Sequence, residues 1–169
     1  MNTNFIISEL KKNKNIFQSL LENLDKEVYL WKQNNEKWCL LEIVCHLYDE
    51  ERDDFGVRLK AILEDENAVM AKTDPIGWMT SRKYMEQDYN AMLEKFLQER
   101  DNTIAYFENL ENPKWLNAYP HPTYGPLYAK MFFINWLAHD YLHIRQITKL
   151  KFDYLSASTG DSLHYAGEW

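Results

Sequence analysis

The chain has 169 residues, which is the length of one domain and enough to bury a hydrophobic core without disulfides or a structural metal. Its 26 acidic residues outnumber the 19 Lys and Arg residues, and the net charge of −7 argues against a nucleic-acid-binding or membrane-binding protein. The longest apolar run, residues 131–138, is far shorter than the roughly 20 residues of a membrane-spanning helix. The N-terminus lacks the features of a signal peptide, so we expect a cytoplasmic protein with a single domain over residues 1–169.

Apolar residues recur at three- and four-residue steps along most of the chain, which predicts amphipathic helices and no strands. The predicted helices cover about residues 3–25, 38–63, 81–110 and 127–150. The first two are joined by a short polar connection. A long connection, residues 64–80, separates the second helix from the third, and its Pro75 and Gly77 argue against a continuous helix there.

Four amphipathic helices can bury their apolar faces against one another as a four-helix bundle, so we predict an all-α fold of this type. The remaining C-terminal tail is rich in aromatic residues, and we expect Tyr165 and Trp169 to pack back onto the bundle. Charged runs at 49–54 and 98–102 are interpreted as solvated helix faces, the first with internal salt bridges to Arg52.

The candidate metal ligands are histidines on two of the predicted helices. His139 and His143 lie four residues apart, so a helix projects both rings from one face and can present them to one ion. The spacing alone also fits an ordinary pair of polar residues. His46 on the second helix is the third candidate, because metal sites in bundles are built from facing helices, although a single buried histidine is often structural.

Helical spacing places three further polar side chains near these histidines. Glu50 lies one turn after His46, Asn135 one turn before His139, and Gln146 three residues after His143. Each could orient a ligand or bind substrate, and Glu50 could act as a base, but ordinary positions at the bundle rim are the alternative. We expect Asp140 and Arg145 to face away from the metal. His121 and His164 sit among turn residues and are interpreted as structural.

The segment WCLLEIVCHLYDEERDDFGVRLKAIL from Trp38, together with HPTYGPL and WLAHDYLHIRQI, resembles the DinB-like superfamily of four-helix bacterial proteins. The resemblance implies that His46, His139 and His143 form a divalent-metal triad. Where the family usually has Ser or Thr to cap the second helix, this chain has Cys39, so the hydroxyl half of a capping box with Glu42 is missing.

Three neutral imidazoles would leave a bound metal its full charge, which favours acidifying water, polarising a carbonyl or stabilising a thiolate. Zinc, nickel, iron and manganese all suit nitrogen ligands. The leading hypothesis is a metal-dependent transferase or hydrolase acting on a small molecule. Its cosubstrate could be a low-molecular-weight thiol, since the resemblance implies bacillithiol or mycothiol chemistry for some relatives. The second hypothesis is a non-catalytic metal-binding stress-response protein that acts as a homodimer.

Overall fold

Helices account for most of the computed structural model, which describes residues 2–65, 67–68, 70, 72–121, 123–167 and 169. The helices are α1 (Thr3–Leu21), α2 (Lys26–Tyr29), α3 (Leu40–Asp49), α4 (Gly56–Glu64), α5 (Pro75–Ser81), α6 (Tyr89–Glu108) and α7 (Ala129–Thr159). A π-helical turn, Glu50–Phe55, joins α3 and α4 into one continuous helical unit. Short 3₁₀ turns lie at Tyr84–Glu86 and His164–Ala166.

The long helices form a four-helix bundle, as predicted. α1 packs on α6 and α7, α3 packs on α6 and α7, and α4 packs on α7. No helix in the described ranges is both long enough and apolar enough to cross a membrane.

The interior of the bundle holds two hydrophobic clusters. One includes Phe17, Leu21, Val44, Leu47, Phe96 and Ile147. The other includes Leu10, Leu59, Ile104, Phe107, Phe133 and Trp136. Each long helical unit supplies residues to both clusters. Residues that lie along a helix between its two sets of core residues are therefore at the middle of the bundle's length.

Polar side chains occupy that middle level, and we call them the polar layer. Its members are Asn13, His46, Glu50, Glu51, Arg100, His139, Asp140 and His143. All are buried except His139, which is partly buried. Because buried charges and amides are costly unless paired, the partners of these groups indicate what the layer does.

Helix ends differ from prediction where capping decides them. α6 begins at Tyr89 rather than near residue 81, because the Asp88 side chain caps it by accepting the amide of Ala91 at 2.8 Å. The long connection contains a helix of its own, α5, which Asp74 caps in the same way. α7 continues to Thr159 rather than ending near residue 150, and Gly160 terminates it with φ +71°.

The segment before α7 forms a β-hairpin, whereas the sequence pattern predicted no strands. β1 (Ala118–His121) pairs antiparallel with β2 (Gly125–Tyr128), with Ala118 opposite Tyr128. Strands of four residues interrupted by proline are too short to show alternation. Nδ1 of His121 accepts the amides of Thr123 and Tyr124 at 3.0 and 3.2 Å, which gives this histidine a structural role in the turn.

The start of α3 and the C-terminal tail were both subjects of sequence predictions. At the start of α3, the Glu42 carboxylate accepts the amide of Cys39 at 2.8 Å, so this half of the capping box is present despite the cysteine. In the tail, the ring of Trp169 lies 5.5 Å from that of Phe152 but stays 57% exposed, so its predicted packing is partial. Tyr165 is fully exposed, so its predicted packing was wrong.

Candidate metal centre

The three predicted histidines meet in the polar layer. His46 comes from α3, and His139 and His143 come from successive turns of α7. One ring nitrogen of each lies within 4.8 Å of the others. The Nε2 atoms of His139 and His143 are 3.1 Å apart, and the His46 ring centre is 4.9 Å from that of His143. This spacing allows all three rings to reach one ion.

Burial keeps these rings neutral. It lowers the pKa of His46 to about 3 and that of His139 to about 2, and repulsion from the protonated form of His143 adds to both shifts. Burial also lowers the pKa of His143, where Gln146 and Asp140 oppose the shift. Neutral imidazole is the form that binds metals, so the cluster is in its metal-binding form at neutral pH.

Several buried atoms of the cluster lack a hydrogen-bond partner among the described residues. They are Nδ1 of His46, Nδ1 of His143 and Oε1 of Glu50. Nδ1 of His46 and Oε1 of Glu50 are 3.9 Å apart, which is too far for a hydrogen bond. Polar atoms buried without partners are rare in folded proteins, and nitrogen and carboxylate donors are metal ligands. The donor set therefore fits a divalent cation.

Glu50 lies one helical turn after His46 and is the first residue of the π-helical turn. Burial raises the pKa of its carboxyl to about 8, with the charges of Asp54 and Asp49 adding to the shift and Arg58 opposing it. Gly56 ends the turn, and a β-carbon there would clash with the carbonyl oxygen of Glu51. The glycine therefore accommodates the π-helical geometry of this turn.

The other two predicted neighbours of the histidines differ in position. Gln146 contacts His143 closely enough to oppose its pKa shift, although the contact falls short of full hydrogen-bond geometry. Asn135 is exposed and donates to the carbonyl of Met131 at 2.8 Å, so the structure does not bring it to the histidines. His164 is also exposed, in a 3₁₀ turn.

A buried ion-pair network lies in the same layer, and sequence reasoning missed it. Arg100 donates to Glu51 at 2.8 Å and to both carboxylate oxygens of Asp140 at 2.7 and 2.8 Å. The indole of Trp136 donates to Glu51, and the amide of Asn13 to Asp140, each at 3.1 Å. The network ties together α1, the π-helical turn, α6 and α7.

The interpretation of the charged runs as solvated faces was therefore wrong for Asp49, Glu50, Glu51 and Arg100, which are all buried. The predicted salt bridges to Arg52 are confirmed, since its guanidinium pairs with Asp49 and Asp53. Asp140, which was expected to face away from the metal, is fully buried and directs its carboxylate to Arg100 and Asn13. One signal was available: Arg100 lies four residues after Phe96 and four before Ile104, on the apolar stripe of its helix.

A groove of about 350 Å³ adjoins the histidines. Trp38 and Gln146 line this groove and lie between it and the histidines. The Trp38 ring is 5.0 Å from that of His46, and Gln146 contacts His143. A small molecule in the groove would thus lie next to the histidine cluster.

Comparisons with known proteins agree with this fold. YfiT from Bacillus subtilis, described as a probable metal-dependent hydrolase with an unusual four-helix bundle topology, superposes with a TM-score of 0.77 and 19% sequence identity, over 95% of this chain and 89% of that chain. At this identity the likeness shows a shared fold. No curated protein sequence matches the chain. The sequence model of the DinB superfamily matches residues 9–147, which is most of the chain, and the chain therefore belongs to the DinB superfamily.

Proposed function

We propose that this protein is a metal-dependent hydrolase of a small molecule, with His46, His139 and His143 as the metal ligands. The observation that carries the proposal is the meeting of three neutral imidazoles with a buried, unpaired carboxyl oxygen of Glu50. A site of this kind keeps coordination positions open for water or substrate, as catalytic centres do.

A divalent cation held by three imidazoles supplies Lewis acidity, which polarises a carbonyl and lowers the pKa of water. Zinc, nickel, iron and manganese are all candidates for this donor set. The side chains around the site orient the ligands and limit the access of water. Gln146 orients His143 from the groove side, and Trp38 limits the access of bulk water to His46.

Glu50 is the proposed general base. Its unpaired oxygen lies 3.9 Å from the His46 ring, and its pKa of about 8 without metal lies near neutrality, where proton transfer in both directions is effective. A nearby cation lowers the pKa of a carboxyl group, so Glu50 would be ionised in the metal-bound protein and able to accept a proton from water.

Hydrolysis is preferred over thiol transfer because it gives Glu50 a role. Attack by water needs a group that accepts its proton, whereas a thiol loses its proton readily beside a metal. The description of YfiT as a probable metal-dependent hydrolase supports the same choice. The same metal centre could instead transfer a low-molecular-weight thiol to a small molecule. The alternative without catalysis is a metal-binding protein that acts as a homodimer.

The experiment is a hydrolysis assay on p-nitrophenyl esters, anilides and lactones, using chelated protein and protein reloaded with each of the four metals. We expect activity only in reloaded protein. Glu50→Gln should retain metal and lose activity by about 100-fold or more, while His139→Ala should lose both. Asn135→Ala is the matched control, because Asn135 lies one turn from His139 but is exposed. Activity that is unaffected by chelation, or absent with every metal and substrate, would overturn the proposal.

A further inference from the structure

The groove beside the histidines lies between α7 and the segment that connects α2 to α3. Its lining residues are Trp31, Gln33, Lys37, Trp38, Arg145, Gln146, Lys149, Leu150, Asp153 and Trp169. Gln146 and Leu150 continue the helical face that carries His143, so the groove runs along α7 away from the metal ligands. A volume of about 350 Å³ suits a small molecule rather than a macromolecule.

The charge of this lining is opposite to that of the protein. Lys37, Arg145 and Lys149 face one acidic residue, Asp153, on a chain whose net charge is −7. Asp153 pairs with Lys149. Within the described ranges, the structure records no ion pair for Lys37 or Arg145, and both side chains are exposed. A groove in which positive side chains outnumber negative ones attracts ligands of negative charge.

Tryptophans form the apolar walls of the groove. The Trp31 ring packs edge-on against Tyr154 at 5.7 Å, and Trp169 lies against Phe152 at 5.5 Å. Trp38 closes the end next to His46, at a ring distance of 5.0 Å. Indole rings present flat apolar surface to an organic ligand, and their few rotatable bonds keep the loss of conformational entropy on binding small.

We propose that the groove binds a small amphipathic oxyanion, with the anionic group at Arg145 and Lys149 and the apolar body between the tryptophans. The guanidinium of Arg145 suits a carboxylate or a phosphate, because its planar fork can donate two parallel hydrogen bonds to either group. This inference rests on the proposed function in one respect only: the bound anion is the substrate, and its reacting bond lies toward His46 and His143.

The test is calorimetric titration of the full chain with phenylacetate, phenyl phosphate and the neutral phenylacetamide. The first two probes distinguish a carboxylate from a phosphate, and the third keeps the aromatic body without the charge. We expect at least one anion to bind about tenfold or more tighter than phenylacetamide. Arg145→Gln and Lys149→Gln should each weaken that anion by several-fold and leave phenylacetamide unchanged.

Two controls separate this proposal from the metal centre. Lys130→Gln removes a cation from the other end of α7, outside the groove, and should leave anion binding unchanged. His139→Ala and chelated protein should still bind the anion, since Arg145 and Lys149 are intact. Anion binding in these proteins together with no metal-dependent hydrolysis would overturn the proposed function and leave the groove assignment in place.

Three results would overturn the groove assignment. They are equal affinity for the anions and phenylacetamide, anion binding that is indifferent to both cation substitutions, and no saturable binding of either anion at millimolar concentration. Anion binding that disappears with the metal would also overturn it, because the anion would then be a metal ligand rather than a ligand of Arg145 and Lys149.

Discussion

The ion-pair network and the histidine cluster share the polar layer but differ in how their hydrogen-bonding groups are paired. Around Arg100, every charged side chain has a partner within the bundle: the guanidinium contacts both Glu51 and Asp140. Around His46, three buried atoms have no partner among the described residues. A buried polar group is tolerated when it is paired, so the two clusters invite different explanations.

This difference distinguishes buried polar side chains that stabilise the fold from buried polar side chains that are available to a ligand. The network contains one cation and two carboxylates, each held by side chains from neighbouring helices, and needs no further ligand. The histidine cluster offers one nitrogen from each of three neutral rings within reach of a single cation. The network therefore fixes the relative positions of the helices that carry the histidines, and the histidines are the residues that we propose to bind the metal.

Removal of the central cation of the network should give the largest effect. Arg100→Met leaves Glu51 and Asp140 buried without a counter-charge, which should lower the free energy of unfolding by about 3–5 kcal/mol. Arg100→Lys keeps the charge but loses the two-pronged contact with Asp140, so its loss should be smaller. Chemical denaturation of both variants measures the difference, and a loss below about 1 kcal/mol for Arg100→Met would contradict the assigned role.

Glu50 should behave in the opposite way, because its charge is the costly one. Its folded pKa of about 8 is above the ordinary value of 4.5, so the folded state holds its proton more tightly and loses stability as pH rises from about 4.5 to 8. In chelated protein, Glu50→Gln should remove this loss and raise the free energy of unfolding at pH 9 by on the order of 2–4 kcal/mol.

Denaturant unfolding at pH 5 and pH 9 provides the measurement for Glu50. Glu36→Gln, at an exposed position before α3, is the control and should leave the pH dependence unchanged. If wild type and Glu50→Gln lose stability in parallel between these two pH values, the buried carboxyl is not the origin of the effect.

The π-helical turn, which contributes Glu50 to the histidine cluster and Glu51 to the network, can be tested at Gly56. In an ordinary helix interior, Gly→Ala stabilises by up to about 1 kcal/mol. Here the added β-carbon would meet the backbone oxygen of Glu51, so Gly56→Ala should instead destabilise the protein by about 1–3 kcal/mol. The sign of the change in thermal unfolding decides the matter, since a stabilised variant would show that the turn readily becomes an ordinary α-helix.

The sequence predicts these two clusters unequally, for physical reasons. The bundle and the meeting of His46, His139 and His143 follow from helical periodicity and from the family resemblance. The network was missed because Glu51 and Arg100 were assigned to the surface by residue type, although Arg100 lies on an apolar stripe. Burial of a charge depends on partners far away in the chain, such as Asp140, and local patterns do not show such partners.

Local exceptions to the helical pattern were equally hidden. The π-helical turn, Glu50–Phe55, lies inside a segment whose periodicity looks like that of one regular helix, so the sequence pattern does not reveal it. The hairpin at Ala118–Tyr128 has strands of four residues, which is too short for alternation to be recognised. Asn135 was predicted to lie near the histidines because it is one helical turn before His139, but its side chain is exposed to solvent.

The most direct test of the central claim is the metal content of the protein after saturation with a divalent metal and removal of excess, measured by elemental analysis. Wild type should hold one ion per chain, and His46→Ala, His139→Ala and His143→Ala should each lose it. His121→Ala is the matched control, because this histidine serves the hairpin turn, and it should retain the ion. Stoichiometric metal that survives both His139→Ala and His143→Ala, or a wild type that binds none, would contradict the account.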